Sequence, residues 1–183
     1  VMGTVAIVYY GVGNLKSVAN ALSYLGCSSC ITADPAELER ADAIILPGVG
    51  AFPDAADRLR SGGLDQHVLA QGQKKPVLGI CLGMQLLLEQ GREVRPCPGL
   101  GVIRGTVDRI PTQSKLPHIG WNSLRFFHHS PLFRGLDEGA YVYFVHSFSA
   151  QDTDPAQVIA VTDYGPAVTA AVSSGNFYGT QFH

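Results

Sequence analysis

Charged side chains are scarce in this chain of 183 residues. Asp, Glu, Lys and Arg make up 15% of it, and the formal net charge is −2. No stripe of basic residues is present, so we expect neither a nucleic acid nor an anionic membrane as a partner. No apolar run is long enough to cross a bilayer. No charged segment or cleavage site precedes the first strand-like run, so we expect a cytoplasmic protein with reduced thiols.

Cysteine is also sparse, and its four positions are Cys27, Cys30, Cys81 and Cys97. Cys27 and Cys30 have the C-x-x-C spacing, but they follow Gly26, which is typical of a helix end, and they lead into a predicted strand. A redox pair prefers the start of a helix. No second C-x-x-C and no paired histidines complete a zinc site. We therefore expect no metal site at this pair.

Nucleotide-binding loops are absent as well. No Gly-Lys-Ser/Thr phosphate loop occurs, and Gly11-x-Gly13 is followed by Lys16 where a dinucleotide site needs a third glycine. The pair His128–His129 lies in a predicted turn without further metal ligands. The sequence therefore predicts neither a cofactor nor a metal.

Strands alternate with helices in the first half of the chain. This pattern predicts an α/β fold with a mostly parallel central sheet flanked by helices. Short strands follow one another in the second half and predict an antiparallel extension, with one short helix capped by Ser130. No linker or repeat divides residues 1–183, so we expect one domain. The predicted strands are Thr4–Tyr10, Cys27–Thr32, Ala41–Leu46, Pro76–Ile80, Gly101–Ile110, Asn122–Phe127, Ala140–Phe148, Gln157–Thr162, Ala167–Ser173 and Asn176–Phe182.

Capping residues mark the predicted helices. Asn14 is a good N-cap for a helix over Leu15–Leu25, and Asp34 precedes a proline at the first position of the next helix. Two further helices are expected over Phe52–Leu59 and Leu64–Gln71.

A strand, a Gly-x-Cys-x-Gly turn and an apolar helix-like run surround Cys81. This is the nucleophile-elbow pattern with cysteine in place of serine. Gly79 and Gly83 lack the Cβ atoms that would collide in so tight a bend. We expect a helix over Leu82–Leu88 whose N-terminus lowers the thiol pKa below about 8.5. The Leu82 amide would stabilise an oxyanion. The alternative is a cysteine that merely packs in the core.

A thiolate nucleophile needs a proton-transfer partner, and the sequence offers six histidines. His183 follows a strand that emerges from a hairpin turn, so it is placed at the tip of a core strand that can face Cys81. The Pro47–Gly50 loop follows another strand of the sheet and supplies glycines whose amides can approach a substrate carbonyl. The alternative for this loop is an ordinary glycine-rich turn.

Six segments together resemble the class I (triad) glutamine amidotransferases, which have a flavodoxin-like fold. The resemblance spans nearly the whole chain, and the last three segments are similar to the glutaminase subunits of imidazole glycerol phosphate synthases. The segments are Gly79–Gln85, Pro47–Gly50, Gly179–His183, Gly11–Asn14, Pro117–Asn122 and Tyr143–Ser147.

The resemblance implies hydrolysis of L-glutamine to glutamate without a cofactor. Cys81 would be the nucleophile and His183 its acid–base partner. The implied oxyanion donors are Leu82, Val49 and Gly50, and the implied substrate-binding residues are Gly48, Gly50, Gln85, Glu93, Ser147 and Phe148. Ammonia would pass to a (β/α)8-barrel cyclase subunit in a heterodimer that makes imidazole glycerol phosphate and AICAR. The implied interface residues are Asn14, His118, Trp121 and Tyr143.

The sequence departs from the family pattern at one point. The family continues after its histidine with Pro and then a Glu that orients the imidazole, whereas this sequence ends at His183. Asp152, Asp154 and Asp163 are substitutes by residue type, but all lie in predicted turns. We expect that the chain is truncated, and that without the orienting acid catalysis is weak.

Two other functions remain open from the sequence. One is a glutaminase for a different synthase, of the pyridoxal-phosphate or anthranilate type, although the Pro117–Asn122 segment argues against it. The other is a non-catalytic regulator on the same fold that uses Cys81 as a redox sensor.

Overall fold

The computed structural model describes residues 3–183, which form fourteen strands and five α-helices. The strands are β1 (Thr4–Val8), β2 (Ser28–Thr32), β3 (Ala43–Leu46), β4 (Val77–Ile80), β5 (Leu88–Gly91), β6 (Cys97–Pro98), β7 (Ile103–Arg109), β8 (His118–Ser123), β9 (Arg125–Phe126), β10 (Tyr141–His146), β11 (Phe148–Gln151), β12 (Val158–Asp163), β13 (Ala167–Ser174) and β14 (Phe177–Thr180). The helices are α1 (Leu15–Tyr24), α2 (Pro35–Arg40), α3 (Phe52–Ser61), α4 (Leu64–Gly72) and α5 (Leu82–Gln85).

An eight-stranded sheet runs through the protein in the order β2-β1-β3-β4-β14-β13-β12-β9. Strands β2, β1, β3, β4 and β14 are parallel, and β13, β12 and β9 continue the sheet in antiparallel fashion. The predicted mixed α/β fold is confirmed. Strand β14 belongs to the half of the chain predicted to be antiparallel, but it pairs in parallel with β4, which agrees with the prediction that His183 follows a core strand.

The helices cover the sheet unequally. α2, α3 and α4 bury Leu38, Phe52, Leu59 and Val68 in the main core, whereas no residue of α1 is fully buried. Asp34 caps α2 as predicted, by accepting a hydrogen bond from an amide of its first turn. Asn14 occupies the N-cap position of α1 as predicted, but its side chain makes no capping hydrogen bond. Among residues 3–183, no helix has the length and apolarity needed to cross a membrane.

The helix predicted after Cys81 is much shorter than expected. α5 ends at Gln85, and the apolar run continues as strand β5. The carbonyls of Leu86 and Leu87 accept hydrogen bonds from Leu100 and Ile103 across the neighbouring segment. A short apolar run that is buried on all sides has no periodicity to distinguish a helix from a strand, which explains the error.

Two strands predicted as single units are divided. β10 pairs with β8 from Tyr141 to His146, and after Ser147 the chain leaves this ribbon as β11, which pairs with β7 in a separate four-stranded sheet. The predicted strand Asn122–Phe127 is likewise divided between β8 and β9. The short helix capped by Ser130 is a single 3-10 turn. The break at Ser147 places backbone groups at the wall of the cavity described below.

Candidate active site

Cys81 lies at the bend between β4 and α5 with φ 58° and ψ −115°. Such angles are rare for a residue with a Cβ atom and indicate local strain. The amide N–H of Cys81 donates to the carbonyl of Thr180 (N···O 2.7 Å), which extends the pairing of β4 with β14 by one bond. The bend therefore holds the cysteine at the carboxyl edge of the sheet, where parallel α/β folds place their ligands.

Glycine is required on both sides of this cysteine. A Cβ atom built on Gly83 would lie 1.8 Å from the carbonyl oxygen of Leu46, and one built on Gly79 would lie 2.5 Å from the carbonyl oxygen of Gly83. Both distances are far inside van der Waals contact, so the predicted reason for the two glycines is confirmed. Helix α5 thereby packs directly against the end of β3.

A cavity of about 370 Å³ opens over Cys81. Most of the predicted catalytic, oxyanion and substrate-binding residues line it, together with Pro117, Val145 and His146, which lie in two of the six segments but had no role in the predicted site. The predicted residues that line it are Val49, Gly50, Cys81, Leu82, Gln85, Glu93, Ser147, Phe148 and His183.

Gly48 is the exception among the predicted substrate-binding residues. It is buried below the loop and does not line the cavity. A Cβ atom there would lie 2.8 Å from the amide nitrogen of Gly83 and 3.0 Å from the hydroxyl of Tyr10. The same hydroxyl donates to the carbonyl of Pro47 (2.6 Å). Gly48 therefore lets the loop pack closely on α5, and the exposed Val49 and Gly50 lie above it at the cavity.

Burial raises the pKa of the Cys81 thiol above its ordinary value. Hydrogen bonds from the Leu82 amide and the Gln181 side chain favour the thiolate but do not cancel the effect of burial. The predicted lowering of the thiol pKa is therefore wrong for this state of the chain. Two physical reasons account for it: α5 has only four residues and so a weak dipole, and the sulfur is removed from water.

Gln181 also belongs to this site, although the sequence assigned it no role. It is fully buried, and its Nε2 lies 3.8 Å from the sulfur of Cys81. Its Oε1 accepts from the Nε2 of Gln85 (3.0 Å), which also donates to the carbonyl of Phe148 (3.2 Å). A signal was present in the sequence, because Gln181 lies two residues before His183 at the end of the same strand segment.

His183 lies at the cavity, and its backbone N–H donates to the carbonyl of Tyr143 (3.1 Å), which ties the end of the described chain to β10. None of the three aspartates considered as its orienting acid lines the cavity. Asp163 pairs with Arg125, and Asp154 accepts from the amide of Ala156. Glu93 is the carboxylate in the cavity wall, and its Oε2 accepts from the backbone N–H of Phe52 at the start of α3 (3.1 Å).

Two buried histidines connect the cavity wall to the ribbon formed by β8 and β10. The Nδ1 of His146 lies 2.8 Å from the carbonyl of Phe148, and its Nε2 lies 3.0 Å from the Nδ1 of His118. Burial lowers the pKa of both imidazoles, that of His146 to about 4. His118 stacks on Phe144 and Tyr164. Its side chain does not reach the surface, contrary to the expectation that it faces a partner.

The other predicted interface residues do lie at the surface. Trp121 on β8 is 70% exposed and meets the edge of the half-buried Tyr143 ring on β10 at 5.7 Å between ring centroids. Asn14 is exposed just before α1. The ribbon therefore presents aromatic side chains to solvent beside the cavity.

Comparisons with known proteins find a matching family model and similar sequences. The family model described as "Glutamine amidotransferase class-I" matches residues 6–183. A protein of Bacillus cereus named "Imidazole glycerol phosphate synthase subunit HisH" is 46% identical over 182 residues, which cover 98% of this chain and 86% of the relative. A protein of the same name from Oceanobacillus iheyensis is 46% identical over 180 residues, which cover 98% of this chain and 90% of the relative.

Solved structures resemble the chain in fold. The "Structure of PurLQS from Thermotoga maritima" matches with a TM-score of 0.74 at 20% identity, over 100% of this chain and 88% of that one. A glutamine amidotransferase from Methylobacillus flagellatus matches with a TM-score of 0.62 at 20% identity, over 100% of this chain and 69% of that one. At this identity the likeness concerns the fold alone.

Proposed function

The chain belongs to the class-I glutamine amidotransferase family, and we propose that it is the glutaminase subunit of an imidazole glycerol phosphate synthase in histidine biosynthesis. The observation that supports its chemistry most directly is the shared cavity. Cys81 on its strained bend, Leu82 and His183 all line it.

In the proposed reaction, the sulfur of Cys81 attacks the side-chain amide carbon of glutamine while His183 takes the thiol proton. The amide N–H of Leu82 and a second N–H from Val49–Gly50 stabilise the oxyanion of the tetrahedral intermediate. His183 then returns the proton to the leaving nitrogen, and ammonia departs. Water, activated by His183, hydrolyses the γ-glutamyl thioester, which releases glutamate and restores the thiol.

Substrate binding is assigned to other residues that line the same cavity. The carboxylate of Glu93 would pair with the α-amino group of glutamine, because it is the acidic side chain in the cavity and its other contact is with a backbone amide. Gln85, Gly50 and the backbone of Ser147–Phe148 would hold the remaining polar groups. Gly48 supports the loop by close packing and is not assigned a contact with substrate.

The raised pKa of the Cys81 thiol has a consequence for the isolated subunit. At neutral pH the sulfur is protonated, so nucleophilic attack is slow until substrate or a partner changes the site. We propose a heterodimer with a (β/α)8-barrel cyclase, whose interface includes Asn14 and the ribbon that carries Trp121 and Tyr143. It would receive the ammonia in the cytoplasm.

Glutamate release by the purified chain tests this function. We expect slow release alone and a severalfold rise when the imidazole glycerol phosphate cyclase and its ligand are added. Cys81→Ala lowers the rate by at least about 1000-fold, as loss of a nucleophile does. Cys30→Ala, at a half-buried cysteine outside the cavity, is the matched control and leaves the rate unchanged. Full activity of Cys81→Ala, or stimulation by a pyridoxal-phosphate or anthranilate synthase partner instead, would contradict the proposal.

A further inference from the structure

A chain of hydrogen bonds begins at the β8–β10 ribbon and reaches the cavity wall. The Nδ2 of Asn122 contacts the Nε2 of His118 (3.3 Å), the Nδ1 of His118 contacts the Nε2 of His146 (3.0 Å), and the Nδ1 of His146 contacts the carbonyl of Phe148 (2.8 Å). Asn122 is itself held in place, because its Nδ2 also donates to the carbonyl of Asp163 (2.8 Å).

The chemistry of these groups determines the direction of every bond. A carbonyl oxygen only accepts, so the Nδ1 of His146 carries the proton and its Nε2 is the acceptor of the neutral ring. His118 must then donate from Nδ1 and accept at Nε2 from the amide of Asn122. Both rings are buried and their pKa values are lowered, so both are neutral at physiological pH. All three bonds therefore point from the ribbon toward Phe148.

A second series of hydrogen bonds runs from the same carbonyl to the nucleophile. The Nε2 of Gln85 donates to the carbonyl of Phe148 (3.2 Å) and to the Oε1 of Gln181 (3.0 Å). Because the oxygen of Gln181 is occupied in this way, its Nε2 is the end that faces the sulfur of Cys81 (3.8 Å). If Gln85 turned, the Gln181 amide could present its oxygen to the sulfur and disfavour the thiolate.

We propose that His118 and His146 are positioning residues that hold the Phe148 carbonyl and, through Gln85, orient the Gln181 amide so that its N–H points at the sulfur of Cys81. Neither histidine contacts the sulfur. Their effect reaches the thiol only through amide orientation. The proposal deepens the proposed function, since it concerns the same nucleophile, but its test does not require glutamine hydrolysis.

The test measures the rate of Cys81 alkylation by iodoacetamide from pH 6.5 to 10, followed by mass spectrometry of the Cys81 peptide. His118→Phe keeps a flat ring between Phe144 and Tyr164 but removes both ring nitrogens. We expect its alkylation rate at pH 8 to fall about threefold to tenfold, the effect of losing one hydrogen bond to the thiolate. His118→Asn retains a donor near the Nδ1 position and should restore the rate to within about twofold.

Two further variants keep the proposal testable if a histidine variant folds poorly. Asn122→Asp has the same shape but puts an acceptor where the first donor stood, so it should slow alkylation in the same direction. Gln181→Met removes the last donor and should slow it equally. In the double variant His118→Phe/Gln181→Met, the rate should be no lower than in Gln181→Met alone, because both changes break one pathway.

Alkylation of Cys30 in the same samples is the internal control for general unfolding. An unchanged Cys81 profile in both His118→Phe and Asn122→Asp would overturn the proposal, and so would additive effects in the double variant. If the profile changes as expected but the wild-type chain with its cyclase releases no glutamate, the positioning role stands and the proposed function fails. If glutamate is released but the alkylation profile of the variants does not change, the proposed function stands and the positioning role fails.

Discussion

The backbone of Cys81 predicts an unusual order of stability for two inactive variants. At φ 58° and ψ −115°, an alanine at this position keeps the strain of a residue with a Cβ atom, which costs about 1–3 kcal/mol. A glycine adopts these angles freely, but it loses about 0.5–1 kcal/mol through the greater freedom of the unfolded chain. Cys81→Gly should therefore be more stable than Cys81→Ala by about 1 kcal/mol.

Urea unfolding followed by circular dichroism measures this difference. In thermal unfolding of a chain of this size, the same difference of about 1 kcal/mol would appear as a melting temperature about 2–4 °C higher for Cys81→Gly. The matched control is Ala70→Gly at an exposed position of α4, where glycine should be less stable than alanine by about 1 kcal/mol. If Cys81→Gly is less stable than Cys81→Ala by an amount similar to the control, the bend stores no strain and the reasoning is refuted.

Three further predictions concern packing, pH and substrate. Gly83→Ala places a Cβ atom 1.8 Å from the Leu46 carbonyl and should lower the free energy of unfolding by about 3 kcal/mol or more. The control Gly62→Ala, whose Cβ would meet its nearest atom at 3.8 Å, should be nearly neutral. An equal melting temperature for both variants would contradict the packing. The pKa of His146 falls from 6.5 in the unfolded chain to about 4 in the folded one, so its contribution to stability is present above pH 6.5 and is lost as the pH falls toward 4. The stability lost in this pH range is about 3 kcal/mol. The free energy of urea unfolding should therefore depend more steeply on pH in the wild type than in His146→Gln. Equal pH dependence in the two proteins would refute this prediction. Glu93→Gln should raise KM for glutamine about tenfold to a hundredfold with little change in kcat, because it removes a charge-assisted hydrogen bond to the substrate. A fall in kcat alone would contradict the assignment of Glu93 to substrate binding.

Local patterns predicted the bend well, because its requirements lie within five residues. Gly79 and Gly83 frame the cysteine, and both would clash if they carried a Cβ atom. The environment of the sulfur was not predictable in the same way. The sulfur is buried by the tertiary fold, in which even a residue 100 positions away, Gln181, contacts it, and this burial raises the thiol pKa against the prediction.

The role of Gln181 shows the same limit. Gln181 lies only two residues before His183, but its position at the sulfur depends on Gln85, which is 96 residues away in the sequence. The course of the chain after α5 was also not predictable, since the leucines from Leu86 to Leu88 suit a buried helix and a buried strand equally. The core position of the strand before His183 was predicted, but its pairing with β4 in particular is a tertiary contact that the local sequence does not specify.

Covalent labelling by a diazo-ketone analogue of glutamine tests the central claim most directly. The analogue binds as the substrate does and alkylates the nucleophile with loss of nitrogen. Intact mass and peptide mapping of the chain with its cyclase should show one adduct per chain, located on Cys81, suppressed by excess glutamine and absent from Cys81→Ala. An adduct on another residue, or none while glutamate is released, would contradict the assignment of Cys81 as the nucleophile.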